Sequence, residues 1–151
     1  MSRLLIVYHT QTDHTAQMAE AVLRGAGSET AVKTVCKRAF NTTIEDLLGC
    51  DGLIIGTPEN FGYMSGAIKD FFDRTYYPAE GKTVGLPYAL FVSAGNDGSG
   101  AVREIGRIAT GYGWKLVAEP VIARKEINNK ALQSCMELGA TMVAGLALGV
   151  F

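Results

Sequence analysis

The sequence predicts an α/β domain built on one parallel β-sheet with helices on both faces. Short apolar runs, typical of strands buried on both sides, alternate with stretches in which apolar residues recur every three or four positions. Five such strand and helix segments follow one another without an internal repeat, linker or low-complexity tract, which favours right-handed crossovers. The 151 residues, 1–151, are therefore expected to form one domain with a substantial core.

Composition and charge narrow the function classes. The chain is 48% hydrophobic and 19% charged, as in an ordinary folded domain, and its formal net charge of -1 gives no basic surface for nucleic acid. Cys36, Cys50 and Cys135 form no Cys-x-x-Cys motif, so no metal site is expected. Their odd number, with no signal peptide, predicts a cytoplasmic location.

The first strand and helix enclose a hydroxyl-rich loop. Residues 4–7 form the apolar run of a buried strand, and residues 8–15 form the loop. The helix after it is expected to end between Gly25 and Gly27. Its apolar positions at helical spacing are Met18, Ala21, Val22 and Gly25.

The second and third strands are predicted from alternating and continuous apolar runs. Residues 30–36 alternate as an edge strand does, and residues 42–48 indicate a short helix with a capping box between Thr42 and Glu45. Residues 52–57 form the third strand, which is expected to stop at Pro58 because proline lacks the amide hydrogen of a central ladder.

The remaining elements follow the same logic. Residues 57–65 lead into a helix, residues 88–93 form the fourth strand, a glycine-rich loop follows at 94–100, and residues 114–123 form a fifth strand. The apolar faces of the three helices are Ile68, Phe71, Phe72 and Thr75; Ala101, Ile105, Ile108, Ala109 and Tyr112; and Leu132, Cys135, Gly139, Met142, Val143 and Leu146.

The last helix is expected to begin near Asn128 or Asn129. The apolar stretch within it, residues 138–151, is 14 residues long and is too short to span a bilayer, so a buried helix is expected.

The first loop has the features of a phosphate site. Free backbone N–H groups and the positive end of a helix dipole attract anions at a strand-to-helix junction, and Thr10, Thr12 and Thr15 add hydroxyl groups. The alternative is that these threonines only cap the helix.

Ligands of an open parallel sheet bind beyond the carboxyl ends of its strands. The loops after the first, third and fourth strands offer hydroxyl groups, an aromatic side chain and glycines, which suit a phosphorylated, flat heteroaromatic ligand such as FMN. Other interpretations remain open: Phe61 and Tyr63 as packing anchors, Glu59 as a solvated carboxylate, and His9 and His14 as structural residues.

Two motifs resemble those of known flavoproteins. Thr10-x-Thr12-x-x-Thr15 resembles the phosphate motif of flavodoxins. Residues 56–58, followed by Phe61-Gly62, resemble the flavin loop of Trp-repressor-binding-protein-type NAD(P)H:quinone reductases and NADPH-dependent FMN reductases. The resemblance implies a flavodoxin-like three-layer sandwich, a five-stranded parallel sheet of order 2-1-3-4-5, and noncovalent FMN.

The resemblance also implies a set of cofactor-binding residues. Those around the phosphate would be Thr10, Gln11, Thr12, His14 and Thr15. Those beside the flavin ring would be Pro58, Glu59, Asn60, Phe61 and Gly62. Those approaching the ring from the fourth strand would be Ser93, Ala94, Gly95, Asn96 and Gly98.

Three departures from these families bear on the site. Asp13 stands where the first loop usually has glycine and places a carboxylate beside the proposed phosphate, although Asp tolerates a left-handed backbone. Asn60 and Tyr63 stand where the quinone reductases usually have Arg and Asn. The chain is also shorter than those enzymes, so their tetramer does not carry over.

The leading functional hypothesis is an FMN-dependent oxidoreductase. It would take hydride from NADH or NADPH and reduce a quinone, a flavin or a similar small acceptor, with no catalytic side chain because the flavin carries the chemistry. The alternative is a flavodoxin-like one-electron carrier between protein partners, in which Gly62 would permit a peptide flip. A third, flavin-free interaction domain is also considered. No nucleic acid or membrane span is expected, and the oligomeric state is left open.

Overall fold

The computed structural model describes residues 1–151 and contains the predicted parallel sheet. Its strands are β1 (Ser2–Tyr8), β2 (Val32–Arg38), β3 (Gly52–Pro58), β4 (Pro87–Ala94), β5 (Lys115–Leu116) and β6 (Val121–Arg124). Every strand pair is parallel and the order is β2-β1-β3-β4-β5, with β6 also paired to β4. The flavodoxin-like order 2-1-3-4-5 is confirmed.

Five helices cover the two faces of the sheet. They are α1 (His14–Ala26), α2 (Ile44–Leu48), α3 (Gly66–Ala79), α4 (Ser99–Tyr112) and α5 (Asn129–Leu148), with a 3-10 turn at Ala39–Asn41. On one face, α3 and α4 bury an aromatic core that contains Phe71, Phe72 and Trp114. On the other face, α1 and α5 bury Met18 and Met142. The sheet is therefore the middle of three layers, and each of its central strands, β1, β3 and β4, contains a run of buried apolar residues.

The fifth strand is not continuous, so the prediction of one strand over 114–123 is wrong. Tyr88 of β4 pairs with Leu116, and Phe91 pairs with Val121. From the first pair to the second there are three residue steps along β4 but five along the edge strand. The edge strand therefore has two extra residues that bulge out of the ladder. Pro120 lies in the break, where it has no amide hydrogen to donate.

The segment from β2 to α2 lies later in the chain than predicted. β2 covers Val32–Arg38 rather than 30–36, and the capping box belongs to Thr43 and Asp46, so the predicted Thr42 and Glu45 pair is wrong. The Asp46 N–H donates to Thr43 Oγ1 at 3.2 Å, and the Thr43 N–H donates to Asp46 Oδ2 at 2.9 Å. Thr42 is buried and donates its hydroxyl hydrogen to the Arg38 carbonyl at 2.9 Å.

Helices α1 and α5 pack with their backbones in direct contact at two glycines. A Cβ atom at Gly139 would overlap the Val22 carbonyl oxygen, and one at Gly25 would overlap the Met136 carbonyl oxygen. These two glycines therefore let the helix backbones touch.

At 20 residues and mean hydropathy 1.3, α5 has the length and composition of a membrane-spanning helix, and it is longer than the 14-residue apolar stretch seen in the sequence. This is weak evidence for a span, because α5 buries one face in the core of the domain.

Gly139→Ala is expected to lower the free energy of unfolding by roughly 1 to 3 kcal/mol, because the added methyl group has no room between α1 and α5. Gly111→Ala in α4 is the matched control: nothing lies within 4 Å of its Cβ position, so alanine is expected to stabilise the helix by about 0.5 to 1 kcal/mol. Urea unfolding measures both variants. Equal effects of the two substitutions would contradict the close helix contact.

Candidate functional site

Three loops meet at the carboxyl edge of the sheet. We name them loop one (residues 9–13, after β1), loop two (59–65, after β3) and loop three (95–98, after β4). The Asn60 side-chain amide donates to Gln11 Oε1 at 2.7 Å and joins loops one and two. The Gly98 N–H donates to Glu59 Oε1 at 3.2 Å and joins loops two and three. Residues from all three predicted groups therefore lie in one connected site.

Loop one presents backbone donors. The N–H groups from Thr10 to Asp13 donate to no acceptor within the protein, and the first turn of α1 follows directly. Asp13 takes a left-handed backbone with φ 74°, and its side chain makes no capping hydrogen bond. Unpaired amides beside a helix N-terminus form an anion-binding concavity, so the loop has the donors that a phosphate requires.

The predicted hydroxyl groups divide into different environments. Thr10 Oγ1 accepts a hydrogen bond from the Ala16 N–H at 3.3 Å, so the capping interpretation applies to Thr10. Thr12 is exposed and makes no hydrogen bond within the protein. Thr15 is buried, and its Oγ1 lies 2.7 Å from Ser93 Oγ at the end of β4.

The Thr15 and Ser93 pair leaves one donor to spare. Each hydroxyl group carries one hydrogen, and the single bond between the two oxygens uses only one of them. The second hydroxyl hydrogen has no acceptor in the protein. The pair therefore joins the first turn of α1, directly after loop one, to the end of β4. It also leaves one hydroxyl hydrogen-bond donor between these two elements.

Loop two closes in a two-residue hairpin. The N–H groups of Asn60 and Tyr63 each donate to the other residue's carbonyl, at 2.9 and 3.0 Å. Phe61 and Gly62 between them have φ 52° and 73°, and two positive values define a type I′ turn. Phe61 is fully exposed, so it is not a packing anchor, whereas Tyr63 packs against the core under α3.

Glu59 has a role that the sequence did not reveal. Its Oε1 accepts the Gly98 N–H, and its Oε2 accepts the Ala101 N–H at 3.1 Å. The carboxylate thus caps α4, whose own N-cap residue is a glycine without a side chain. It is neither free in solvent nor free to turn toward a ligand.

Two buried hydroxyl groups also support loop two and were not predicted. Thr57 Oγ1 accepts the Ser65 N–H at 3.0 Å, and Ser65 Oγ accepts the Ile68 N–H at 3.4 Å to cap α3. Both ends of the loop are therefore fixed to regular elements. The Ser65 cap could have been found from its position before the apolar helix pattern, but the Thr57 bond depends on the path of the loop.

Loop three follows β4 with exposed Gly95 and Asn96 and with buried Ser93 and Ala94 before them. Gly98 has φ 76° and lies against the Ile122 side chain. Beyond it, Gly100 packs so closely under the Gly62 carbonyl that a Cβ atom at Gly100 would overlap that oxygen. Glycine is thus required at position 100, where loop two touches the first turn of α4.

The two histidines lie beside loop one without a reactive partner. Burial and then the positive charge of Arg38 lower the pKa of His9, which keeps its ring neutral at neutral pH. Arg38 is held by a hydrogen bond from its Nε to Tyr8 Oη at 3.1 Å. His14 is the half-buried first residue of α1. The structural interpretation fits His9.

The cysteines are not part of the site. Burial raises the pKa of the Cys36 thiol to about 11, and the pKa values of Cys50 and Cys135 to about 12. All three thiols are therefore protonated and unreactive at neutral pH. No three His, Cys, Asp or Glu side chains cluster so that they could hold a metal ion.

A cavity of about 740 Å³ lies away from loops one and two. It is bordered by residues 117–124 and by α5, with Arg124, Lys130 and Glu137 at its rim. The three-loop site is instead an open edge. We place the candidate site at the loops, because the unpaired donors are there.

The parallel sheet, the amide-rich first loop and the glycine contact between loop two and α4 define a flavodoxin-like flavoprotein domain. A family model, NADPH-dependent FMN reductase, matches residues 26–125. The chain belongs to this family, which confirms the resemblance seen in the sequence and agrees with FMN as cofactor and NADH or NADPH as donor.

Individual relatives agree with this assignment. The chain is 37% identical over 100 residues to a flavodoxin from Aquifex aeolicus, which covers 66% of this chain and 54% of that protein. It is 35% identical over 121 residues to an NAD(P)H dehydrogenase (quinone) from Acidithiobacillus ferrooxidans, which covers 66% and 60%. This chain therefore matches little more than half the length of these two relatives. A solved flavodoxin from the domain Archaea has the same fold, with TM-score 0.85 at 21% identity over 96% of this chain and 99% of that one.

Glu59→Ala is expected to lower the free energy of unfolding by about 1 to 2 kcal/mol, because the Gly98 and Ala101 N–H groups lose their acceptor at the start of α4. Urea unfolding followed by the fluorescence of the single tryptophan, Trp114, measures the change. Glu20→Ala, at an exposed position of α1, is the control and should be nearly neutral. The cap is refuted if the two variants unfold alike.

Proposed function

We propose that this chain is an FMN-dependent oxidoreductase that takes hydride from NADH or NADPH and reduces a quinone, a flavin or a similar small acceptor. The observation that carries the proposal is the set of unpaired N–H groups in loop one, joined to loops two and three by the Asn60, Glu59 and Ser93 contacts. Family membership supports the same cofactor.

The residues present fit FMN at both of its ends. The phosphate would be held by the amides of loop one, with Thr12, the spare hydroxyl hydrogen of the Thr15 and Ser93 pair, and the dipole of α1. These donors are neutral, and no lysine or arginine side chain is needed among them. The exposed carboxylate of Asp13 makes no bond to the α1 amides, so it leaves those donors to the ligand.

The flat ring would lie between loops two and three. Pro58, Asn60, Phe61 and Gly62 would line one side, and Ala94, Gly95 and Asn96 would line the other. Glu59 contributes by its position in the chain, because its carboxylate is bound to α4. The Gly62 and Gly100 contact sets the distance between loop two and the first turn of α4, which follows loop three.

A bound flavin supplies hydride chemistry at N5, so the chain needs no acid–base dyad. Its own residues bind and orient the ring, and the backbone N–H groups of loops two and three offer dipoles to negative charge on it. The neutral His9 ring is not required as a proton donor.

A one-electron carrier between proteins is the second candidate, since one relative is a flavodoxin. Carriers of this kind use charge to find their partners. Here the loops carry Asp13 and Asp97, but Arg38 lies near His9 and Arg124 lies near Asp97, and the whole chain has a formal net charge of only -1. The mixed charge favours a small acceptor.

We propose a cytoplasmic location and leave the oligomeric state open.

The purified chain reconstituted with FMN is expected to oxidise NADH or NADPH faster than the same concentration of free FMN, because the loops orient the ring toward the donor. Absorbance at the nicotinamide band measures the rate, with several quinones and free flavin as acceptors. Failure with both donors and all acceptors would rule out the reductase. If FMN fluorescence does not change on mixing, the flavin-free interaction domain replaces both candidates.

Thr15→Val is expected to weaken FMN binding roughly 10- to 100-fold, because it removes the buried hydroxyl group that pairs with Ser93 and, with it, a hydrogen bond that the pair would donate to the charged phosphate. Quenching of FMN fluorescence measures the dissociation constant. Thr30→Val, at an exposed position before β2, is the control and should bind FMN as the wild type does. Thermal melting of the apoprotein checks that both variants fold. A folded Thr15→Val variant with unchanged affinity would remove Thr15 from the phosphate site.

A further inference from the structure

The cavity between the edge of the sheet and α5 begins beside loop three. Arg124, the last residue of β6, pairs with Ala94, the last residue of β4, and loop three starts directly after Ala94. The next N–H, that of Lys125, donates to the Ala94 carbonyl at 2.7 Å. From there the cavity of about 740 Å³ follows α5 as far as Thr141, and its size is typical of a small-molecule site. We name it the α5 cavity.

The end of the α5 cavity beside loop three favours an anion. Arg124 and Lys130 line this end, and neither forms an ion pair within the protein. Glu126 is the one carboxylate there. The N–H groups of Asn129 and Lys130, in the first turn of α5, donate to no acceptor in the protein, and the positive end of the helix dipole adds to the two cations.

The other end of the α5 cavity favours hydrogen-bond donors. Ser134, Glu137 and Thr141 lie on one face of α5, and the two hydroxyl groups make no hydrogen bond within the protein. Glu137 Oε1 accepts only the Gln133 amide at 3.3 Å, which leaves Oε2 free. Glu119, just before β6, adds a second carboxylate. Carboxylates accept hydrogen bonds from hydroxyl and amino groups but repel a phosphate.

Unpaired charges of both signs thus line the α5 cavity, but they are kept apart. Two turns of α5, about 10 Å, separate Lys130 from Glu137. Beside them the wall is apolar, with Val121 on β6 and Ala131 and Leu138 on α5. A matching ligand therefore has an anionic group at the loop three end, hydrogen-bond donors two helical turns further on, and a flat part that can lie against the apolar wall.

An adenosine diphosphate unit has its groups in this order. The phosphate groups come first, the ribose with its hydroxyl groups follows, and the flat base with its amino group is last. NADH carries this unit, and its diphosphate continues into the nicotinamide half. Because the cationic end of the cavity adjoins loop three, a diphosphate bound there leaves the nicotinamide half on the side of loops two and three.

We propose that the α5 cavity binds the adenosine diphosphate half of NADH, with Arg124 and Lys130 at the diphosphate and Glu137 at the ribose hydroxyl groups. The inference rests on the proposed function, which leaves the choice between NADH and NADPH open. A carboxylate accepts a hydrogen bond from the 2′-hydroxyl group of NADH, whereas the 2′-phosphate of NADPH brings a second anion against it. The chain therefore prefers NADH, although its family is named for NADPH.

Binding of ADP-ribose and of 2′-phospho-ADP-ribose tests the cavity without any redox step, because both lack the nicotinamide. Titration calorimetry is done on the FMN-loaded protein, so that loop one is already occupied by the flavin phosphate. The wild type is expected to bind ADP-ribose roughly 10-fold more tightly than the 2′-phosphate form, because the second anion meets Glu137.

Two variants separate the two ends of the cavity. Lys130→Gln is expected to weaken both ligands roughly 10-fold and to keep their ratio, because it removes a cation at the diphosphate. Glu137→Gln is expected to bring the two affinities together, because it removes the charge that rejects the 2′-phosphate. Lys115→Gln and Glu20→Gln, at exposed positions outside the cavity, are the matched controls and should leave both affinities unchanged. Thermal melting checks that all four variants fold.

The possible failures point to different conclusions. If the wild type oxidises NADH but binds no ADP-ribose, or if Lys130→Gln and Lys115→Gln bind alike, the cavity is not the donor site and the proposed function stands. Tighter binding of the 2′-phosphate form would overturn the preference for NADH and the role of Glu137. A wild type that binds ADP-ribose but oxidises neither NADH nor NADPH would overturn the proposed function, and the donor role of the cavity with it.

Discussion

The burial of β1, β3 and β4 on both faces is the constraint on which the molecule depends. Because these strands are parallel and covered by helices on each side, their polar groups and connections can face water only at the two ends of the sheet. At the carboxyl end this brings loops one, two and three to a single edge. The site is thus a consequence of core packing before any ligand is considered.

Polar contacts then give that edge a fixed shape. A hydroxyl pair joins α1 to β4, an amide joins loops one and two, and the Glu59 carboxylate fastens loop two to α4. Each bond crosses between segments that are distant in the chain. The tertiary structure therefore sets the geometry of the loops at the site. It also keeps the backbone of Phe61 in its strained left-handed conformation, although the Phe61 side chain is exposed.

The sequence was informative wherever a pattern is local. Apolar runs and helical spacing located four of the helices and the central strands, a capping motif predicted the short α2, and two loop motifs indicated the relation to known flavoproteins. Local pattern misplaced the β2 to α2 segment, because Thr42 and Thr43 offer the same capping chemistry and burial of Thr42 decides between them.

Other features could not be predicted from the sequence, because they depend on contacts between residues that are distant in the chain. The Thr15 bond to Ser93 joins α1 to β4, and the Glu59 cap and the Gly62 contact with Gly100 both join loop two to α4. The break in the fifth strand was signalled by Pro120, but its position opposite β4 depends on the register.

The interrupted edge strand also affects how the chain behaves among its own copies. β5 and β6 have two and four residues, and Pro120 between them offers no N–H to an incoming strand. A long flat edge is a template for intermolecular β-pairing, and a short, bulged one is not. The irregularity at this border therefore protects the sheet from aggregation, even though it contributes nothing to the chemistry at the carboxyl edge.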